Sequence, residues 1–162
     1  MPPTPFPVSR AFSRRTLLGV CTAGLAVAAA GCTWSPAVDE RDTVTSAQAE
    51  ELTAQVAVQE TLVRAYELAF AADPALAAAV ADMAAQADEQ LERLRGAAPG
   101  STPSATAPPG LPPAGQGQAW LRTQVAVAAA SHAAAALGQS GGRAALLGSI
   151  AAGLRGHDAR LA

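Results

Sequence analysis

The chain has 162 residues, of which 50% are hydrophobic and only 4% aromatic, and its formal net charge is −2 at pH 7. All 11 basic residues are arginine, which excludes Schiff-base chemistry and general-base catalysis by lysine. No basic patch interleaved with aromatic residues occurs, so nucleic acid is not an expected partner. Alanine dominates and runs of β-branched residues are absent, so we predict an all-α protein.

The first 31 residues have the composition of an export signal. Arg14 and Arg15 precede an apolar run at 17–30, and no acidic residue occurs in this part of the chain. The run is too short, and too interrupted by glycine and polar residues, to match a membrane span of about 20 apolar residues. We therefore predict a cleaved signal peptide over residues 1–31.

Two motifs in this segment resemble known export signals. Ser13-Arg14-Arg15-Thr16-Leu17-Leu18 resembles a twin-arginine translocation signal, and Ala29-Ala30-Gly31-Cys32 resembles the lipobox of bacterial lipoproteins. Twin-arginine signals usually have phenylalanine at the position of Leu17, and the general secretory route is the alternative. The lipobox resemblance implies that Cys32 is acylated and anchors the protein to the outer face of the cell membrane. The alternative for Cys32 is an ordinary thiol beside an uncleaved anchor.

The chain contains only two cysteines, and Cys21 lies within the predicted signal peptide. Cleavage would leave Cys32 as the single cysteine, which excludes a disulfide framework in the mature protein. We assign residues 32–42 to a tether between the lipid and the fold, and residues 43–162 to one helical domain.

Two helices are predicted in the first part of this domain. The first begins between Thr43 and Ser46, because acids shortly after Ser46 complement a helix N-terminus. Asp73 then supplies an N-cap for a second helix, which Gly96 stops. Inward-facing positions recur at spacings of four and three along both helices. They are Leu52, Val56, Gln59, Val63, Tyr66 and Phe70, followed by Leu76, Val80, Met83, Ala87, Gln90 and Leu94.

A segment rich in proline and glycine at 96–115 predicts a flexible connection between two helical hairpins. Two further helices follow at about 118–137 and 143–161, separated by a turn rich in glycine. Residues 39–95 carry 12 acids against 4 arginines, a net charge of −8, whereas residues 112–162 carry 4 arginines against 1 acid, a net charge of +3. These opposite charges favour docking of the two hairpins, although surface ion pairs contribute little each.

Two helical hairpins joined by a long middle segment resemble the ferritin-like four-helix bundle, whose central connection runs the length of the bundle. About 20 residues suffice to span a helix of about 30 Å, so the segment at 96–115 is long enough. The layout over residues 43–162, behind a twin-arginine-like signal, is similar to that of a family of exported actinobacterial ferritin-like proteins. A plain up-down-up-down bundle is the alternative fold.

Metal-binding ferritin-like proteins hold two metal ions with a glutamate on each of two helices and a Glu-x-x-His motif on each of the other two. Only Glu60 and His157 occupy positions of that pattern in this chain. The resemblance therefore implies a degenerate site, and we predict no cofactor. Glu60 and His157 remain the metal-ligand candidates. The alternatives are an i,i+4 ion pair with Arg64 for Glu60 and a hydrogen-bonded core histidine for His157.

No catalytic constellation is evident from the sequence. Ser131 and His132 are sequence neighbours and not a nucleophile and base on separate elements, and no Gly-x-Ser-x-Gly motif occurs. Gln59, Gln90 and Gln124 lie on or beside inward-facing positions and predict a polar layer that fixes the register of the helices.

We therefore expect a non-enzymatic, lipid-anchored extracytoplasmic protein whose degenerate ferritin-like bundle is a binding or structural module. One alternative is a metal-dependent oxidase or storage protein that uses Glu60 and His157 with nonstandard ligands. A second is a carrier of a small hydrophobic ligand in an alanine-lined pocket of the bundle core. The sequence identifies neither a protein partner nor an oligomeric state.

Overall fold

A computed structural model describes residues 43–101 and 109–162. This part of the chain contains four α-helices and no strand: α1 (Ser46–Ala72), α2 (Pro74–Ala97), α3 (Gly117–Ala136) and α4 (Gly141–Arg160). The predicted all-α class is confirmed. The predicted signal peptide, with Arg14 and Arg15, and the predicted tether, with Cys32, lie outside the described residues.

α1 begins at Ser46, within the predicted range, and Thr45 is its N-cap. The Thr45 hydroxyl accepts a hydrogen bond from the backbone N–H of Gln48 at 3.2 Å, and the Gln48 side chain accepts one from the Thr45 N–H at 3.2 Å. This reciprocal capping box satisfies two N–H groups that would otherwise have no partner at the helix start. In the sequence, Gln48 three residues after Thr45 is the pattern that indicates this capping box.

Asp73 separates α1 from α2, as predicted. Its carboxylate accepts hydrogen bonds from the N–H groups of Ala75 and Leu76 at 3.0 and 3.1 Å. Pro74 follows as the first residue of α2, where a helix needs no N–H donor.

The predicted stop of α2 at Gly96 is wrong, because the helix continues to Ala97. Ala98 leaves the helical conformation, with φ −118° and ψ 64°, as expected for a residue that precedes proline. The helix also departs from regular geometry at Val80, where φ is −132° and ψ is 23°. Neither proline nor glycine lies at this point, so the sequence carries no signal for the kink.

The core lies between the inward faces of the four helices. Every predicted inward position of α2 is buried, whereas Val63 and Phe70 of α1 pack only at the edge of the core. Leu62 and Ala69 are buried instead, because α1 packs against both α2 and α3 and therefore needs a wider apolar face. Among the described residues, no helix is both long and apolar enough to cross a membrane.

α3 runs antiparallel to α1. Near the start of α1, Gln48 Nε2 donates a hydrogen bond to Gly138 O, just beyond the end of α3, at 3.2 Å. At the opposite end, a Cβ atom placed on Gly117, the first residue of α3, would lie 3.7 Å from Asp73 Cβ. The connection after α2 therefore joins opposite ends of the bundle.

α4 runs antiparallel to α2, since Arg160 pairs with Asp82 near the start of α2 while Gly153 lies beside Gln90 farther along it. The helices that pack closely are α1 with α2, α1 with α3, and α3 with α4, and the interface of α2 with α4 is thinner. This neighbour order, with α3 beside α1, differs from that of a plain up-down-up-down bundle.

We predict that Asp73→Ala lowers the free energy of unfolding by about 1 kcal/mol, because two N–H groups at the start of α2 lose their acceptor. Chemical denaturation at neutral pH measures this change. Asp88→Ala, at an exposed acid in the middle of α2, is the control. Equal stability losses for both variants would contradict a capping role for Asp73.

Candidate functional site

Two clusters of polar residues are centred on buried side chains of the bundle, at positions where apolar residues would be expected. The glutamine–histidine cluster comprises Gln59, Gln90 and His132, which are 0, 9 and 0% exposed. The tyrosine–histidine cluster comprises the buried Tyr66 and His157, which are 2 and 3% exposed, and the exposed Gln86, which bonds to His157. Buried polar groups are costly unless they are hydrogen-bonded, so the partners of each atom decide what these clusters can do.

Gln59 on α1 is the centre of the glutamine–histidine cluster. Its Nε2 donates to the backbone carbonyl oxygen of Ala87 at 2.9 Å and to Gln90 Oε1 at 3.3 Å, both on α2. Its Oε1 lies 2.9 Å from Nε2 of His132 on α3. One amide therefore joins three helices and both hairpins.

The hydrogen bonds fix the tautomer of His132. A carbonyl oxygen can only accept, so the Gln59 amide nitrogen must face Ala87 O and its oxygen must face the imidazole. His132 Nε2 therefore carries the proton and donates it to Gln59 Oε1. His132 Nδ1 is buried and has no hydrogen-bond partner in the described structure. Burial lowers the pKa of His132 to about 4, so the ring is neutral at pH 7.

α4 contacts the glutamine–histidine cluster at Gly153. A Cβ atom at Gly153 on α4 would lie 3.1 Å from Gln90 Nε2, closer than ordinary van der Waals contact. The absence of a side chain at Gly153 therefore leaves room for the Gln90 amide between α2 and α4.

The tyrosine–histidine cluster links α1, α2 and α4. The Tyr66 hydroxyl lies 3.0 Å from His157 Nδ1, and His157 Nε2 lies 3.0 Å from Gln86 Oε1. With Gln86 Oε1 as the acceptor, His157 Nε2 donates a hydrogen bond to it and Nδ1 accepts a hydrogen bond from the Tyr66 hydroxyl. Burial lowers the pKa of His157 and raises that of Tyr66, and Arg160 further lowers the pKa of His157.

Asp82 and Arg160 form an ion pair beside this cluster. Arg160 donates two hydrogen bonds to the Asp82 carboxylate, at 2.6 and 3.1 Å, and these hold the pKa of Asp82 below its usual range. The pair joins α2 to α4 and is exposed, so it contributes little to stability.

The structure places the metal-ligand candidates Glu60 and His157 in different surroundings. Glu60 Oε1 accepts a hydrogen bond from Arg95 on α2 at 2.9 Å, so the predicted pair with Arg64 is wrong. Arg64 instead pairs with Glu67 at 2.5 Å. His157 is a hydrogen-bonded core histidine. Within residues 43–101 and 109–162, no group of three or more histidine, cysteine, aspartate or glutamate side chains is placed to hold a metal ion.

The predicted polar layer exists in part. Gln59 and Gln90 share a hydrogen bond, as expected, but Gln124 is only half-buried and lines a surface groove. His132, and not Gln124, is the third polar side chain of this layer. It lies seven residues after Val125, on the same inward face of α3, and this spacing was the signal that could have identified it.

An apolar groove of about 190 Å³ opens between α1 and α3, lined by Ala57, Val58, Thr61, Leu62, Gln124, Val127 and Ala128. It lies at the surface and not in the core pocket that a hydrophobic carrier was expected to use. Pockets that enclose small molecules usually measure about 300–1,000 Å³, so this groove is small for that role.

Comparison with known proteins yields no relative: no family model matches the chain, and neither a curated protein nor a solved structure matches it.

We predict that Gln59→Leu lowers the free energy of unfolding by about 1–3 kcal/mol, because the buried His132 N–H and Gln90 Oε1 lose their partner. Urea denaturation at pH 7 measures the loss. Gln124→Leu, in the surface groove, is the matched control and should change stability by about 0.5 kcal/mol or less. A Gln59→Leu variant as stable as the control would show that the amide contributes nothing to the core.

We predict that two glycine substitutions on α4 differ in their effect on stability. Gly156→Ala meets no atom within 4 Å and should stabilise the protein by about 0.5–1 kcal/mol through helix propensity. Gly153→Ala should give no such gain, since its methyl group displaces the Gln90 amide. Thermal denaturation of both variants provides the comparison, and an equal gain at Gly153 would mean that Gln90 is free to move.

Proposed function

We propose that this protein is a lipid-anchored extracytoplasmic protein whose ferritin-like bundle acts as a non-catalytic binding or structural module. The observation that carries the non-catalytic part of the proposal is the hydrogen bonding of the glutamine–histidine cluster, and the lipid anchor and export rest on the sequence motifs around Arg14, Arg15 and Cys32. Gln59, the residue before the metal-ligand candidate Glu60, uses both ends of its amide to bind the backbone and side chains around it.

The helix directions support the ferritin-like part of the proposal. Two antiparallel hairpins pack with α3 beside α1, and the connection after α2 joins opposite ends of the bundle. A long crossover of this kind is typical of ferritin-like folds.

The donor set of the core does not suit a di-metal centre. Such a centre needs several carboxylates to balance the charge of two cations and to bridge them. The side chains of the glutamine–histidine cluster are neutral at pH 7. The Gln59 amide nitrogen donates its hydrogen bonds to Ala87 O and Gln90 Oε1, so it offers no lone pair to a cation. The metal-ligand candidate Glu60 forms an ion pair with Arg95. We therefore derive no metal-dependent reaction.

The groove between α1 and α3 supports a binding role. Val127 on its rim is 61% exposed, and apolar residues make up most of its lining. An exposed apolar groove of this size fits a side chain of a protein partner better than a free lipid.

Elemental analysis of the protein purified from its native host tests the non-metal part of the proposal. We expect iron and manganese well below one equivalent per chain. One or two equivalents of either metal, retained through purification, would overturn it in favour of a metal oxidase or storage protein.

We predict that Cys32→Ala moves the protein from the membrane fraction to the soluble extracytoplasmic fraction and leaves its helical content unchanged, because the lipid is attached outside the bundle. Fractionation and circular dichroism measure the two effects. Cys21→Ala, in the predicted signal peptide, is the matched control and should leave the protein membrane-bound. A Cys32→Ala variant that stays in the membrane fraction would refute the lipid anchor.

A further inference from the structure

α3 carries apolar residues on its solvent-exposed side as well as on its buried side. Arg122 is its one charged residue, and its buried positions include Leu121 and Val125. Apart from Gln118 and Arg122, the exposed residues of α3 are small or apolar. We call them the outer face of α3, and they are Ala119, Thr123, Ala126, Val127, Ala130 and Ala134. A helix that is apolar all round is normally covered on every side, yet within the described residues only the inward side of α3 is covered.

The outer face includes large apolar side chains that are well exposed. Val127 is 61% exposed near its middle, and Leu137 is 89% exposed just beyond the end of α3. Leu137 lies seven residues after Ala130, so it continues the same face. Single apolar side chains are common on protein surfaces, whereas a contiguous apolar strip along a whole helix is typical of an interaction site.

The polar groups of this surface are already engaged within the chain. Thr123 Oγ1 and, in the adjacent groove, Thr61 Oγ1 donate hydrogen bonds to backbone carbonyl oxygens of their own helices, at 3.1 and 2.9 Å. Arg122 pairs with Asp158 on α4 at 2.9 Å. The surface therefore suits an apolar partner better than a charged or strongly polar ligand.

Val127 forms a ridge between two grooves. On one side lies the groove between α1 and α3, and on the other lies a groove between α3 and α4 that Ala126, Ala130 and Asp158 also line. In a two-fold symmetric dimer the same surface meets itself, so its ridges must face its own grooves. An antiparallel pairing of two α3 helices brings the Val127 ridge of each copy beside a groove of the other.

The charges of the four helices also favour contact through α3. α1 carries four acids against one arginine, α2 four acids against two arginines, and α4 three arginines against one aspartate. Contact between two copies of any one of these helices would bring like charges together, which is unfavourable. α3 carries Arg122 alone, and Asp158 neutralises it. Among the described helices, α3 is therefore the one that can meet its own copy without repulsion between like charges.

We propose that the outer face of α3 is the interface of a homodimer, in which α3 of one copy packs antiparallel to α3 of the other about a two-fold axis near Ala126 and Ala130. The dimer rests on the binding role proposed above, with a second copy of this chain as the partner. Small residues at Ala119, Thr123, Ala126 and Ala130 recur at spacings of four, three and four, which is the repeat of two packed helices, and they let the two backbones approach closely.

The area of this surface corresponds to a weak dimer. α3 has 20 residues and is about 30 Å long, and the grooves beside it widen the surface to about 16–20 Å, because packed helices lie about 8–10 Å apart. Each copy would therefore bury about 500–600 Å², or about 1,000–1,200 Å² for the pair. This total lies at the lower end for specific complexes, so we expect a dissociation constant in the micromolar range.

Thiol cross-linking of the full chain in membranes of its native host tests the dimer. Ala126→Cys places a thiol near the proposed two-fold axis, so a short bismaleimide should join two copies into a species with the mass of two chains. Ala85→Cys, at an exposed alanine of α2, is the matched control and should give roughly tenfold less of that species, because α2 lies outside the interface. The wild-type chain measures any cross-linking through Cys32.

Val127→Glu, combined with Ala126→Cys, should lower the yield of cross-linked dimer roughly tenfold or more, because it would bury a carboxylate from each copy in an apolar contact. Ala85→Glu, combined with Ala126→Cys, should leave the yield unchanged. Val127 is exposed in the single chain, so the variant should keep its helical content, which circular dichroism checks. If Ala126→Cys does not fold, Ala130→Cys answers the same question.

Equal yields from Ala126→Cys and Ala85→Cys would overturn the dimer, as would a yield that Val127→Glu leaves unchanged. A cross-link from Ala126→Cys to a protein of another mass would also overturn it, and would leave the proposed binding role intact with a different partner. The lipid anchor is tested separately, because the outer face of α3 does not include Cys32. In the Cys32→Ala chain, concentrated from the soluble fraction, the same cross-linked dimer should form.

Discussion

The side-chain amide of Gln59 is the interaction on which the arrangement of the bundle depends. It is fully buried, donates to α2 and accepts from His132 on α3, so the register of three helices is set by one planar group. Alanine-rich helices pack closely but offer few large side chains that would distinguish one register from another. A buried amide with specific partners supplies that distinction, because a shift of register would leave it unpaired.

Hydrophobic periodicity was sufficient to predict four helices and the inward positions of α2, because apolar residues that recur at helical spacing form the face that the helix buries. The joint at Asp73 and Pro74 was equally predictable, because an acid followed by proline is a local signal. The sequence analysis missed the capping role of Thr45, which the Gln48 three residues later indicates. It also missed the extension of α2 to Ala97, although Pro99 disfavours helical geometry only at the residue before it, Ala98.

The partners of buried polar groups could not be predicted in the same way, because they depend on which helices become neighbours. Glu60 has Arg64 one turn away in sequence, yet it pairs with Arg95 across the α1–α2 interface. Gln124 has the spacing of an inward residue but lies at the groove beside α1. The spacing from Val125 places His132 on the inward face of α3, but its pairing with Gln59 depends on α3 running antiparallel to α1, a direction that no local pattern encodes.

The central claim is that a neutral hydrogen-bonded cluster occupies the middle of the bundle. The most direct measurement is nitrogen-15 NMR of the two imidazole rings at pH 7, before and after addition of Fe²⁺ or Mn²⁺. We expect His132 to be neutral with its proton on Nε2, in hydrogen-bond contact with Gln59, and unaffected by stoichiometric metal. A proton on Nδ1, an imidazolium ring, or signals broadened at one equivalent of metal would contradict the claim.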